Sequence, residues 1–328
     1  LAGGLVDVFG PRHVAIAAQL TVIIGLVLIW YLAPHTYAQM FGLAGILGIA
    51  GASFAIALPL ASVWYPPHYQ GTALGIAGAG NSGTALASLF APGLAVLVGW
   101  RTVIGLATFP LICVLLLFLV LAKEPANRPL SPGLRAWGSV LGSVDSWLLM
   151  FFYSVTFGGV VGLASFLTIY FNDQYSLSPA VAGACTAFVV FVGSFVRPVG
   201  GAFADRVGGT KALIVLYAIA AFCFGIISLG LPTIYLAFPA FFFGMLTLGL
   251  GNGAVFQLVP TRFPRQVGIL TGLVGMAGGV GGFYLALSLG EARQIVNSYG
   301  PGFLAFAGIC LIACISVVLC HRRWMEKA

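Results

Sequence analysis

Long, almost uninterrupted apolar segments follow one another along the whole chain, separated by short stretches that are polar, basic or rich in glycine and proline. Each apolar segment is about 20 residues or longer, the length that an α-helix needs to cross the ~30 Å hydrocarbon core of a bilayer. Strands of a membrane β-barrel would instead alternate apolar and polar residues. The pattern therefore predicts an all-α polytopic membrane protein. Ten spanning helices are expected, at Arg12–Ala33, Tyr37–Trp64, Gly71–Val98, Thr102–Ala122, Trp147–Phe171, Pro179–Ala204, Ala212–Leu231, Ile234–Val259, Val267–Gly290 and Gly302–Cys320.

Composition and the placement of charge support the same class. Of the 328 residues, 60% are hydrophobic and 6% are charged, unlike a soluble globular chain. The net charge of +7 could indicate a nucleic-acid partner, but the basic residues lie in the loops. With both termini in the cytoplasm, eleven of the 14 Lys and Arg residues face inward and only Arg101 and Arg293 face outward, as the positive-inside rule requires. We therefore expect a multi-pass protein of the inner (cytoplasmic) membrane, with a cytoplasmic carboxy terminus and no nucleic-acid partner.

Metal, redox and enzymatic chemistry are not expected. The six cysteines form no C-x-x-C pair and lie within or at the ends of apolar segments, where cysteine serves as a small apolar residue. The four histidines fall at helix ends. Because the interiors of the predicted helices contain no His, Asp, Glu or paired nucleophile, the chain lacks the groups that an enzyme would need.

The chain contains an internal repeat. The opening segment LAGGLVDVFGPRH resembles the later segment VGGAFADRVGGTK, so that Gly10 matches Gly208 at a distance of 198 residues. The segments GTALGIAG and GILTGLVG, which begin at Gly71 and Gly268, match at a distance of 197 residues. Two matches at nearly the same distance indicate a duplication, which is typical of transporter folds.

The repeated G-x-x-x-D-x-x-G loops resemble the signature of the major facilitator superfamily. The resemblance implies a fold of twelve helices in two halves, of which this chain contains ten, with helices 1 and 2 preceding Leu1. It implies an amino-terminal half at 1–122 (helices 3–6), a cytoplasmic linker at 123–146 and a carboxy-terminal half at 147–328 (helices 7–12 and a basic tail). Within the linker, a short helix is expected at Ser139–Ser146.

Arg197 lies inside the sixth predicted helix, eight residues before Asp205. This places it about 12 Å from the helix end, too deep for the side chain to reach bulk water comfortably. A cation at that depth costs on the order of 2.5 to 3.5 kcal/mol. All seven acidic residues lie in loops or tails, so an anionic substrate would supply the counter-charge, and a planar guanidinium suits a planar oxyanion. The alternatives are that Arg197 reaches toward the cytoplasm or pairs with an acid upstream of Leu1.

Asn81 lies in the glycine-rich stretch GIAGAGNSG. Small residues at such spacing are typical of close helix packing. A buried asparagine amide, however, can donate to a bound oxygen, and the neighbouring glycines leave room for a small ligand. The stretch therefore has both a packing and a binding interpretation.

Together with YSVTFGGVVGLASF, FVRPVGGAFADRVGG and GLGNGAVFQLVPTRFP, this stretch resembles the nitrate/nitrite porter (NarK-type) family of the same superfamily. The resemblance implies alternating-access transport of nitrate and nitrite, by exchange or with protons, by a monomer embedded in lipid and without cofactors. The alternatives are a carrier of another small or organic anion and a non-transporting receptor. The expected substrate-binding residues are Arg197, Asn81, Tyr153, Phe157, Phe54 and Gly78, with Asn252 as a further candidate for lining the path.

Overall fold

The computed structural model describes residues 9–32, 34–64, 80–123, 134–263 and 266–325, and every regular element in these ranges is helical. A single 3₁₀ turn, Gly80–Ser82, precedes the third helix. In chain order the α-helices are α1 Pro11–Leu32, α2 Tyr37–Trp64, α3 Gly83–Val98, α4 Trp100–Leu106, α5 Thr108–Leu121, α6 Leu134–Leu141, α7 Val144–Tyr175, α8 Pro179–Phe195, α9 Arg197–Val207, α10 Gly209–Ser228, α11 Ile234–Arg262, α12 Val267–Val296 and α13 Gly300–Met325.

The expected series of membrane helices is confirmed. Across the described ranges, nine helical segments are long and apolar enough to cross a membrane, and α2 corresponds to the one remaining predicted helix, Tyr37–Trp64. Two of the nine segments each combine two consecutive helices, α4 with α5 and α8 with α9.

Two helices that were predicted as continuous are interrupted. The predicted helix Thr102–Ala122 is interrupted at Ala107, and the predicted helix Pro179–Ala204 at Val196. Each interruption comes shortly before a proline, Pro110 in the first case and Pro198 in the second. Proline has no amide hydrogen to donate to the carbonyl four residues earlier, and its ring crowds that carbonyl.

The linker helix has different bounds from those expected. In place of Ser139–Ser146, helix α6 runs from Leu134 to Leu141, and α7 begins at Val144 after a two-residue break. The indole Nε1 of Trp147 donates to the carbonyl of Leu141 at 2.8 Å, which ties the first turn of α7 to the end of α6.

The internal repeat appears in the backbone as well as in the sequence. Gly10 has φ +84° and Gly208 has φ +92°, and each immediately precedes a helix, α1 and α10. Side-chain-bearing residues rarely adopt positive φ, so these two positions favour glycine. These two residues, which the repeat aligns, thus share a positive φ.

The described residues divide into two compact units, a first unit of 9–64 and 90–123 and a second unit of 80–89 and 134–325. The expected halves, 1–122 and 147–328, differ from this division chiefly in that 80–89 group with the second unit. The interior of the second unit is rich in aromatic rings, and Tyr170 meets Phe241 and Phe303 edge to face with centroid distances of 5.4 and 5.2 Å.

A polar cluster joins three helices of the second unit near the end of α7. Arg293 of α12 forms an ion pair with Asp173, with Nε 2.8 Å from Oδ2. The hydroxyl of Tyr299, just before α13, donates to Asp173 at 2.7 Å. Burial first, and then the hydrogen bond to the Asp173 carboxylate, raise the pKa of Tyr299 to about 12. The phenol therefore remains protonated and donating at physiological pH.

Helices α7 and α12 approach each other through glycines. A Cβ atom added to Gly158 would lie 2.7 Å from the carbonyl carbon of Gly281, and one added to Gly281 would overlap the carbonyl oxygen of Ser154. Because the obstructing atoms belong to the backbone, a side chain at either position would push the helices apart.

We expect Gly281→Ala to lower the melting temperature of the purified protein, because its methyl group would collide with the backbone of α7. Gly279→Ala is the matched control on the same helix, since a Cβ there meets no atom within 4 Å and alanine favours the helix by about 1 kcal/mol over glycine. The control should melt at or above the wild-type temperature. Equal melting temperatures for the two variants would contradict this account of the interface.

Candidate functional site

The break between α8 and α9 places Arg197 at the first position of α9, with only 7% of the residue exposed. Glycines of α11 hold this backbone closely. A Cβ on Gly253 would overlap the carbonyl oxygen of Arg197, and one on Gly249 would overlap the carbonyl oxygen of Gly193. The position of the Arg197 backbone is therefore set by the helix break before Pro198 and by close contacts with glycines of α11.

Aromatic side chains hold the guanidinium of Arg197. Its Nη2 donates to the hydroxyl of Tyr153 at 2.7 Å, and its Cζ lies 5.3 Å from the centroid of the Phe157 ring. Tyr153 and Phe157 stack at 5.0 Å, and Phe256 of α11 meets Tyr153 edge to face at 4.9 Å. A cation over an aromatic face is attracted by the ring quadrupole, so these rings orient the guanidinium as well as enclose it.

A cavity of about 230 Å³ lies within the second unit, beside Arg197. Valine, alanine and glycine form much of its wall, with the ring of Phe157. The polar side chains that line it come from the start of α3 and its preceding turn, and from α7, α8, α9 and α11. They are Asn81, Thr84, Ser88, Ser165, Ser194, Arg197 and Asn252.

The cavity is chemically suited to an anion. The described residues that line it include no Asp, Glu, His or Cys, and the described part of the chain contains no cluster of three such residues that could hold a metal ion. The lining consists of one guanidinium, amides and hydroxyls in a largely apolar wall. Metal cations prefer carboxylate, imidazole or thiolate ligands, whereas oxyanions bind to guanidinium, amide and hydroxyl donors.

Four of the residues predicted from the sequence line this one cavity: Arg197, Asn81, Phe157 and Asn252. Tyr153 is fully buried and is not part of the lining, and it contacts the site by accepting the hydrogen bond from Arg197. Phe54 belongs to α2, but its side chain and all of Gly78 lie outside the described residues. The roles predicted for those two residues stay predictions.

Several polar atoms in the cavity wall are buried and make no hydrogen bond to another described residue. They are Nδ2 and Oδ1 of Asn252, Nδ2 of Asn81 and Oγ of Ser194. Asn252 and Ser194 are exposed to 0% and 1%. Buried polar atoms in folded proteins are nearly always hydrogen-bonded, so atoms of this kind around one cavity indicate a ligand-binding wall.

The sequence-based prediction missed four polar residues of the lining and one aromatic residue packed on Tyr153: Thr84, Ser88, Ser165, Ser194 and Phe256. Phe256 lies one helical turn after Asn252, so its spacing on α11 was an available signal. Ser194 lies three residues before Arg197 and four before Pro198. The spacing to Arg197 would have placed it on the same face, but the sequence does not show that its hydroxyl avoids the backbone.

We expect Asn252→Leu to raise the melting temperature of the protein in anion-free buffer. The substitution removes an unpaired buried amide, which costs about 1–3 kcal/mol, and the cavity leaves room for the new side chain. Asn172→Leu is the control, because Asn172 donates to the carbonyl of Leu177 at 2.6 Å and its loss should lower the melting temperature. A fall for Asn252→Leu as large as that for Asn172→Leu would show that the Asn252 amide is satisfied in the folded protein.

Known proteins that are similar to this chain include three from bacteria, each named for nitrate or nitrite transport. A protein of Bacillus subtilis named a nitrite extrusion protein is 33% identical over 282 residues, covering 86% of this chain and 70% of its own. A "probable nitrate/nitrite transporter" of Mycobacterium tuberculosis is 31% identical over 331 residues, covering 98% and 83%. A "probable nitrate/nitrite antiporter" of Thermus thermophilus is 29% identical over 366 residues, covering 98% and 78%.

The fold has a close counterpart among solved structures. A bacterial homologue of the human lysosomal transporter Spinster, in an inward-facing and unoccupied conformation, superposes with a TM-score of 0.71 at 17% sequence identity. The match covers 99% of this chain and 87% of that one. At such low identity the likeness concerns the fold alone.

A sequence profile described as Major Facilitator Superfamily matches residues 1–286. With the relatives above, this match covers most of the chain and agrees with the helical fold and the repeated glycine loops. The chain belongs to the major facilitator superfamily of membrane transporters, in its nitrate/nitrite porter (NarK-type) branch.

Proposed function

We propose that this protein carries nitrate and nitrite across the cytoplasmic membrane by alternating access. The observation that carries the proposal is the cavity with Arg197, Asn81 and Asn252 in its lining. The names of the bacterial relatives supply the identity of the anions.

The cation explains why the cavity favours a small anion. Holding a charged guanidinium at membrane depth costs on the order of 2.5 to 3.5 kcal/mol, and a bound oxyanion offsets part of that cost. A guanidinium has five N–H donors, enough to serve Tyr153 and a planar anion together. The bond to Tyr153 and the contact with Phe157 set the plane in which those donors lie.

The lining also bears on how transport is coupled. The described lining residues include no Asp, Glu or His, and so offer no carboxylate or imidazole to relay protons. This supports nitrate/nitrite exchange over proton symport, which is the alternative. Carriage of another small or organic anion is the second candidate, because the donor set recognises an oxyanion rather than nitrate uniquely.

We also propose how the chain is oriented in the membrane and which further residues line the substrate path. Basic residues lie at one end of the second-unit helices, at Arg206, Lys211, Arg262 and Arg322, which supports a cytoplasmic carboxy terminus. We include Phe54 and Gly78 in the substrate path on the resemblance alone. The working form is taken to be a monomer in lipid, with 1–122 and 147–328 as its halves and 123–146 as the cytoplasmic linker.

We expect liposomes that contain the protein, as its gene encodes it, to take up [¹⁵N]nitrate when they are loaded with nitrite. Uptake should persist with a protonophore, because exchange moves no net proton. Loss of uptake when the protonophore is added would contradict exchange and indicate proton symport. Absence of nitrate uptake under every gradient, with uptake of another oxyanion, would overturn the proposed substrate.

We expect Arg197→Lys to weaken nitrate binding about tenfold or more although the charge is kept. An ammonium cannot reproduce the parallel N–H donors, and a hydrogen bond to a charged group contributes roughly 1.5–3 kcal/mol. Arg206→Lys is the control, since Arg206 is exposed on the same helix and does not line the cavity. Titration calorimetry measures both variants, and near-normal affinity in Arg197→Lys would remove Arg197 from the site.

A further inference from the structure

We propose that the hydroxyl of Ser194 binds the third oxygen of nitrate and so makes this site prefer nitrate over nitrite. The inference rests on the proposed function and adds to it a residue that determines specificity. Three features of the structure carry it: the burial of Ser194, the absence of a hydrogen bond from its hydroxyl to any described residue, and its position relative to Arg197.

Ser194 differs from most helical hydroxyls around it. Thr156, Thr186 and Ser288 each donate to a backbone carbonyl three or four residues earlier, at 3.3, 2.9 and 2.8 Å. Ser194 is 1% exposed, yet its Oγ makes no hydrogen bond to any described residue. Hydroxyls in membrane helices usually bond to their own backbone in this way, so the Ser194 hydroxyl is left available for a different acceptor, and Ser194 lines the cavity.

The position of Ser194 places that hydroxyl close to the guanidinium. Ser194 lies three residues before Arg197, about one helical turn away, and both line the cavity. Long side chains in helices lean toward the amino-terminal end, so the side chain of Arg197 extends toward the turn that contains Ser194. Its neighbour Gly193 is held against α11, since a Cβ there would lie 3.2 Å from the carbonyl oxygen of Met245. The hydroxyl therefore has little freedom beyond rotation about χ1.

The two anions differ in shape, so a hydroxyl in this position would distinguish nitrate from nitrite. An arginine fork that binds two oxygens of nitrate leaves the third oxygen directed away from the guanidinium. Nitrite bound through its two oxygens presents only the lone pair of its nitrogen in that direction. It therefore extends one N–O bond less far from the guanidinium than nitrate does. A hydroxyl held at the distance of the third oxygen thus completes the site for nitrate and leaves a gap with nitrite. The amide of Asn252 on α11 is common to both anions in this arrangement.

The experiment measures nitrate and nitrite affinities by titration calorimetry in chloride-free buffer, on the purified protein as its gene encodes it. Ser194→Ala should weaken nitrate binding about tenfold, the loss of one hydrogen bond to a charged group, and nitrite binding less than twofold. Its melting temperature in anion-free buffer should not fall, because the hydroxyl that is removed makes no hydrogen bond to a described residue. Ser288→Ala, outside the cavity and bonded to its own backbone, is the control and should bind both anions as the wild type does.

The outcomes separate this proposal from the proposed function. If the wild type binds both anions and Ser194→Ala weakens neither, or weakens both equally, Ser194 does not select nitrate while the transport proposal stands. A lower anion-free melting temperature with unchanged selectivity would give Ser194 a structural role only. If the wild type binds neither anion, both proposals fail. Ser194→Cys, close in size and a weak donor, carries the same expectation and replaces Ser194→Ala if that variant does not fold.

Discussion

The hydrogen bond from Arg197 to Tyr153, which joins helix α9 to helix α7, is the interaction on which the site depends. It fixes one edge of a buried guanidinium, and the ring of Phe157 lies beneath it. A cation in such a place is costly unless donors and aromatic faces surround it. Because Tyr153 is fully buried and does not line the cavity, we assign it to positioning the guanidinium that binds substrate.

The packing of the second unit follows from the need to hold this backbone in place. Pro198 interrupts the helix directly around Arg197, which removes a regular hydrogen bond at that point. Glycines on α11 then let two backbones come into direct contact on both sides of the break, at Gly249 and Gly253. Close backbone contact provides rigidity without filling the cavity with side chains. The same strategy joins α7 to α12, so the helices that carry the site are held by their backbones.

The fold was predictable from the sequence because membrane spans have a simple physical signature. Runs of apolar residues long enough to cross the bilayer predicted the helices, and Arg197, Asn81 and Asn252 were found because polar groups are rare in such runs. The interruptions at Ala107 and Val196 were missed although Pro110 and Pro198 were visible, because apolar runs show length and not continuity. Ser194 was missed for another reason: serine is common in membrane helices, and only the structure shows a hydroxyl that does not bond to its own backbone.

Magic-angle-spinning NMR tests the central claim, that nitrate contacts the guanidinium of Arg197, most directly. The protein is labelled with [¹³Cζ]arginine, reconstituted in lipid and saturated with [¹⁵N]nitrate, and the dipolar coupling between the two labels is measured. The account predicts that nitrate dephases one arginine signal. That signal should be absent from Arg197→Lys, while the other arginine signals stay unchanged. Dephasing that persists in Arg197→Lys, or bound nitrate that dephases no arginine, would contradict it.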